Sequence, residues 1–208
     1  MSNNQHFIEN LLEGVKSNQI SIDEAKAQLS HYDELGFAKI DLHRAKRQGF
    51  PEVIFGQGKT KEQIDTIITS LSRHHHVILI TRINEEKANY VLEKHPHLEY
   101  YPEARIVCTP IASVQKSKYY ISVLCAGTSD LPVSEEAAIT AELMGITVKR
   151  YYDVGVSGIH RLFEHIHEIR QGKVSIVIAG MEGALASVVG GLVDLSLIHI
   201  SEPTRPRL

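Results

Sequence analysis

The sequence predicts an α/β protein: a small mixed α/β unit followed by a three-layer αβα unit on a parallel sheet. Three observations predict it. From Tyr119 onward, short apolar strands alternate with helical patterns as βαβαβα, at 120–125, 132–144, 146–151, 158–171, 174–180 and the Gly/Ala-rich run EGALASVVGGL. Gly145 and Gly172 close two of those helices, as glycine often does at a helix C-terminus. Small polar residues follow each strand, and right-handed crossovers place all such loops on one edge of a parallel sheet.

Taken in order, the chain opens with a helical hairpin. Phe7, Ile8, Leu11, Leu12 and Val15 recur at helical spacing, and Ser21 with Glu24 forms a capping box at the head of SIDEAKAQLS. Strands are expected at 38–42 and 52–55, flanking the basic residues Arg44, Lys46 and Arg47. The segment GQGKT then precedes a helix at 60–73. It ends like a phosphate-binding P-loop, but the required G-x-x-x-x-G-K-[ST] spacing fails because position 53 is Val, which excludes a P-loop NTPase. A strand at 77–83, the helix NEEKANYVLEKH and the strand ARIVCTP complete the first unit, and IASVQKSK serves as its linker to the second. His74, His75 and His76 alternate in direction at a strand start and make a poor metal site, and His95 and His97 bracket a proline in a loop. His165 and His167, two apart on a helix, cannot share a face and are expected at the surface.

Composition narrows the function classes. With 208 residues, 43% of them hydrophobic and 23% charged, the chain can bury the core of one or two domains. A formal net charge of -3 leaves no basic face for nucleic acid. No apolar run is long enough to span a membrane and no leader pattern opens the chain, so a cytoplasmic location is expected. Cys108 and Cys125 have neither metal nor disulfide spacing and suit reduced, buried thiols.

The chemistry gathers in three loops. In VLCAGTSDLPVSEEAA, Gly127 permits a tight turn, Thr128, Ser129 and Asp130 supply polar groups, and Pro132 opens the next helix. Backbone N–H groups and the helix dipole there suit a phosphate, although a plain strand-to-helix turn has the same composition. Asp153 is placed to accept hydrogen bonds from ribose hydroxyls, and Ser157, His160 and Arg161 open the following helix within reach of phosphate. Glu182, between Gly180, Met181, Gly183 and Ala184, is either a partly desolvated carboxylate with a raised pKa for acid/base work or a first-turn helix residue favoured by the dipole.

The motifs CAGTSDLPVSEEAAITAELMG, YYDVGVSGIHRLFEHIHEI and VIAGMEGALASVVGGLVD resemble the carboxy-terminal domain of the LarB family, and DLHRAKRQGFPEVIFGQGKTKEQI resembles that family's amino-terminal domain. The resemblance runs from residue 1 to about 195 and implies a LarB-type amino-terminal domain over 1–115 and a domain similar to PurE, the aminoimidazole ribonucleotide carboxylase or mutase, over 119–195. The latter has a Rossmann-like or flavodoxin-like sheet, here expected to be incomplete at its C-terminus. The implied reaction is carboxylation of the pyridinium ring of nicotinic acid adenine dinucleotide by CO2 or bicarbonate. Hydrolysis of the phosphoanhydride then gives pyridinium-3,5-biscarboxylic acid mononucleotide and AMP, on the route to a nickel-pincer cofactor. Magnesium and a homo-octameric assembly are also implied. Glu182 matches the family's G-M-E-G-A motif as the proton-handling carboxylate. Gly127, Thr128, Ser129 and Asp130 would hold ribose phosphate, Asp153, Ser157, Gly180, Met181 and Gly183 would line the substrate, and Arg44, Arg47 and Lys59 are the amino-terminal candidates, with a solvated basic face as the alternative.

Two departures matter. The histidine positions of the PurE loops are Val156 and Ala184 here, which argues against imidazole-ribonucleotide chemistry. The family's nucleophilic cysteine follows GGLVDL and a further strand, whereas this chain continues SLIHISEPTRPRL, a tail over 196–208 that resembles a translated adapter or frameshift and offers no convincing strand. The chain is therefore expected to be a truncated form that does not complete the reaction. A PurE-like purine carboxylase and a non-catalytic nucleotide-binding or assembly module remain the alternatives.

Overall fold

The computed structural model describes residues 2–22, 25, 32–42, 44–50, 52–73 and 77–201. Most of the expected second helix, the triple histidine and residues 202–208 lie outside them.

After helix α1 (Ser2–Lys16), the first unit is built on a mixed four-stranded sheet. Its strands are β3 (Ile54–Phe55), β4 (Leu79–Thr81), β5 (Glu99–Tyr101) and β6 (Ile106–Cys108), in the order β3-β4-β6-β5. Only β3 and β4 are parallel. Alternation along the strands separates two cores: Ile80 and Val107 face α3 (Lys61–Ser72) and α4 (Glu85–Lys94), while Leu79, Ile106 and Cys108 face the second unit. Thr60 and Gln63 close a capping box on α3, and Asn84 caps α4 by accepting from the Lys87 N–H. A hairpin of β1 (Tyr32–Glu34) and β2 (Lys39–Asp41) docks on α3, through Ile40 in the core and a Ser70 hydroxyl that donates to Asp33 at 2.6 Å. Neither β1, β5 nor the short helix α2 (Arg44–Gln48) was expected, because each is short and dominated by polar or aromatic residues with no aliphatic run to mark it.

The second unit is a parallel sheet in the order β10-β9-β7-β8, of β7 (Tyr120–Cys125), β8 (Thr147–Tyr151), β9 (Val174–Ile178) and β10 (Ser196–Ile200). Helix α5 (Leu131–Leu143) covers one face, against Val123, Cys125 and Ile178. Helices α6 (His160–Gln171) and α7 (Ala184–Leu192) cover the other, against Leu124 and Val177. Strand β10 corrects the expectation for the tail. Residues 196–200 pair in register with all five residues of β9, because SLIHI is rich in β-branched and apolar residues and an open sheet edge accepts it.

The two units share α5. Its Ile139 and Leu143 pack against Leu79, Ile106 and Cys108, with Ile111 and Val114 of the linker alongside, so the linker is part of a core rather than a free tether. On its opposite flank α5 is clamped to the edge strand. Arg150 donates to both oxygens of Glu142 at 3.0 and 2.8 Å and to Glu135 at 3.3 Å, and the Tyr152 hydroxyl donates to Glu135 at 2.7 Å.

Candidate functional site

The connections that leave β7 and β9 diverge: α5 leads from β7 to β8 on one side, and α7 leads from β9 to β10 on the other. Neighbouring strands whose connections diverge leave a crevice at their carboxyl ends, where open α/β sheets bind ligands. The loops after β7 and β9 flank that crevice and the loop after β8 adjoins them. Backbone bonds tie the three together: the Ala126 N–H donates to Ile178 O at 3.1 Å, and Val154 N–H donates to Cys125 O at 3.0 Å. The loops expected to converge therefore share one edge.

In the first loop, Asp130 is buried and its carboxylate accepts the Gly127 N–H at 3.0 Å, closing the turn, while Ser134 donates to the Asp130 carbonyl at 2.9 Å. Thr128 and Ser129 stand exposed on a single 3-10 turn, and their N–H groups have no acceptor among the described residues. Pro132 lies in the first turn of α5, where its missing N–H costs nothing. Free donors at the head of a 13-residue helix are the arrangement that holds a phosphate.

The second loop is packed hard onto the first. A Cβ at Gly155 would lie 2.5 Å from the Ala126 carbonyl, so only glycine fits. Asp153 takes a left-handed conformation, φ 56°, and its carboxylate is ion-paired with Arg161, which also donates to Gly158 O. Asp153 thus already has a partner in the free protein, one that a substrate hydroxyl would have to share. Ser157 is exposed at the same edge.

The third loop overturns the expected surroundings of Glu182. Glu182 and Gly183 are consecutive left-handed residues, φ 53° and 70°, and α7 begins only at Ala184. That turn throws the Glu182 side chain outward, and it is exposed in the protomer, neither desolvated nor within the helix's first turn. Gly180 and Gly183 close the turn by a backbone bond at 3.0 Å, and the His199 ring of β10 lies over Gly183, where a Cβ would meet it at 2.3 Å.

Both thiols are buried, as expected. Burial pushes Cys108 up to about 12, and it also raises Cys125, whose Sγ lies 3.6 Å from the Gly127 carbonyl. Neither is a thiolate at neutral pH. Among the described residues no three His, Cys, Asp or Glu side chains gather at a point. Two concavities lie elsewhere: one of about 210 Å³ between the hairpin and α3, and an apolar groove of about 500 Å³ beside α5 over β7, β9 and β10. Neither lies over the three loops.

The amino-terminal candidates separate. Arg44 donates to Gln48, and Arg47 is paired with Asp41, whose own N–H reaches Glu52 ahead of β3. Lys59 instead turns back onto Phe55 O, at the far end of that strand. Two cations gained no special role from the sequence beyond a place in a helix or loop, Arg82, paired with Glu136 at 2.6 Å, and Lys87, while Arg161, expected within reach of phosphate, is paired with Asp153. The available signal was position, since each follows closely on the carboxyl end of a strand. His95, expected in an unremarkable loop, holds Asp65 at 2.8 Å, and His165 leans on the Tyr151 ring instead of facing water freely.

Residues 32–111 match the family described as the LarB/PurE-like N-terminal domain. The chain is also 37% identical, over 210 aligned positions, to an uncharacterized protein of Methanocaldococcus jannaschii, MJ0165; the match covers 95% of this chain and 81% of that protein. Among the described residues no helix is long and apolar enough to cross a membrane.

Proposed function

The chain belongs to the LarB/PurE-like family, a family of carboxylase type, and from that membership we propose that it binds nicotinic acid adenine dinucleotide for carboxylation of its pyridinium ring. One observation carries the reading: three small-residue loops at the switch point of a parallel sheet, closed by Asp130 and presenting the free N–H groups of Thr128 and Ser129. The nicotinate-side phosphate rests on those N–H groups and hydroxyls. Asp153 and Ser157 face the ribose, and Gly180, Met181 and Gly183 form the floor beside the ring.

The chemistry needs a nucleophile first, because a cationic pyridinium does not attack CO2. A thiolate adds to the ring and gives a neutral enamine, whose carbon forms the new bond to CO2. Loss of the proton from that carbon and expulsion of the thiolate restore the aromatic cation. Glu182 is the carboxylate that takes the proton, and its exposure suits a base that becomes covered only when substrate or a neighbouring subunit closes the edge. Water cleaves the phosphoanhydride and releases AMP. Cys108 and Cys125 are buried, and burial raises both thiols, so neither is placed to supply the thiolate. The protein works in the reducing cytoplasm as a homo-octamer, in which another copy walls the edge that the protomer leaves open.

Calorimetric titration with nicotinic acid adenine dinucleotide, followed by an assay for AMP, tests the reading. Saturable binding without AMP release is expected from the 208-residue chain. Absence of binding refutes the site, and AMP release refutes the assignment of both thiols as inert. Turnover of aminoimidazole ribonucleotide would transfer the chain to purine chemistry, which Val156 and Ala184 do not support.

A further inference from the structure

Helix α5 is gripped at two consecutive residues near its head. Glu135 is held from its own sheet by Arg150 and Tyr152, and Glu136 is held from the first unit by Arg82, whose Nε lies 2.6 Å from Glu136 Oε2. Successive helical residues project about 100° apart, so the two grips pull in different directions. The apolar core shared by the units takes only Ile139 and Leu143 from α5, in the half of the helix farther from the Gly127–Asp130 loop. Arg82 extends the first unit's hold to the near half, six positions or about 9 Å along the helix from Asp130.

The backbone is bent to make that contact. Arg82 is left-handed, φ 54°, directly after β4, and Arg105, opposite it across the antiparallel β4–β6 pair, is left-handed too, φ 51°. Such a conformation is strained for a residue with a Cβ and persists only where the surroundings impose it. Here the neighbours do so: Thr81 O accepts the Gly56 N–H at 2.7 Å, Ile83 is fully buried, and Ile83 N–H donates to Arg105 O at 3.0 Å. The Arg82 and Glu136 side chains are 30% and 21% exposed, and they stand at the rim of the apolar groove that Val133 and Ala137 also line. Apolar surroundings on one side strengthen an ion pair over one in open water.

We infer that Arg82 is a positioning residue for the phosphate loop. By holding Glu136 it keeps α5 from rolling about the Glu135–Arg150 anchor, and so fixes the helix head where Thr128 and Ser129 N–H groups receive the phosphate. Arg82 itself touches no ligand. The inference rests on the proposed function only for the phosphate site, and it adds that the first unit sets the affinity of a site built from the second.

The test titrates the full 208-residue chain and its Arg82→Met, Arg82→Lys and Arg82→Gly variants calorimetrically with ribose 5-phosphate and with nicotinic acid mononucleotide, beside thermal melts. Arg82→Met should weaken both ligands by about three- to tenfold, and Arg82→Lys, which returns a cation to Glu136, should stay within about twofold of wild type. Arg82→Gly removes the pair but relieves the left-handed backbone, so it should bind as weakly as Arg82→Met while melting higher. A purely structural role would instead make affinity follow melting temperature across the three variants, and that result overturns the inference. So does an Arg82→Met affinity within about twofold of wild type. Wild type that binds ribose 5-phosphate but gains nothing from the pyridine ring refutes the proposed substrate and leaves Arg82 to be judged on the sugar phosphate. Wild type that binds neither ligand removes both.

Discussion

Replacing Arg150 by Met isolates the clamp that orients the phosphate loop. Arg150 faces two carboxylates at once, with its terminal nitrogens on Glu142 and its Nε on Glu135, and Lys116 adds a second, longer contact to Glu142 at 3.4 Å. The Glu142 side chain is only 9% exposed, against 29% for Arg150, so methionine would leave Glu142 charged and mostly dry. Removing one partner of a buried pair costs about 3–5 kcal/mol, and the partial exposure of Arg150 places this case near 3. For a chain of this length that corresponds to a fall in Tm of about 6–12 °C. Arg150→Met/Glu142→Leu should recover most of the loss, because the stranded charge goes with its partner. Burial opposes ionisation of Glu142, but Arg150 and Lys116 outweigh it and hold the carboxyl below its ordinary range. A lowered folded-state value stabilises above the unfolded value and is lost as pH falls through the folded one, so wild type should lose stability below about pH 4.5 and the double variant less steeply. Urea unfolding followed by circular dichroism reads all of this. A loss under about 1 kcal/mol for Arg150→Met, or a double variant as unstable as the single, would refute the clamp.

Three further outcomes are expected. Gly155→Ala forces a methyl against the Ala126 carbonyl, and should cost about 1–3 kcal/mol in urea unfolding while weakening mononucleotide binding, because the two loops move apart; an unchanged affinity would separate the loops functionally. Asp130→Ala strands the Gly127 N–H and should lower stability by about 1.5–3 kcal/mol, whereas Asp130→Asn, which keeps an acceptor, should lose less than half of that. A thiol reagent should label neither Cys108 nor Cys125 in the native protein and both in denaturant; rapid native labelling of Cys125 would reinstate it as a nucleophile.

The sequence revealed what repetition and chain direction encode. Three strand–helix repeats with glycine stops specify a parallel sheet, and right-handed crossovers then oblige the loops at 127–130, 153–158 and 180–183 to share an edge, as they do. Strands β1 and β5, YDE and EYY, are as short as β4 and β6 but lack their aliphatic runs, which hid them. Side-chain direction inside a loop was hidden too. Glu182 faces outward because it and Gly183 both turn left-handed, and the position of a residue between glycines does not reveal that choice. Ion pairs such as Asp153–Arg161 depend on helix rotation after the loop, which spacing alone does not fix.

Helix α5 explains why an amino-terminal domain accompanies this sheet at all. Its sheet-facing residues close the core over β7 and β9, its Glu135 and Glu142 are fastened to the edge strand, and its Ile139 and Leu143 form the floor of the first domain. One helix with three committed faces cannot turn without disturbing all of them, so its first turn, where Asp130 closes the phosphate loop, is held from every side. That rigidity favours the ligand: free N–H donors fixed before binding lose little freedom when an anion arrives. The first domain thus contributes to the edge by bracing α5, through the Leu79, Ile106 and Cys108 packing and the Arg82–Glu136 pair.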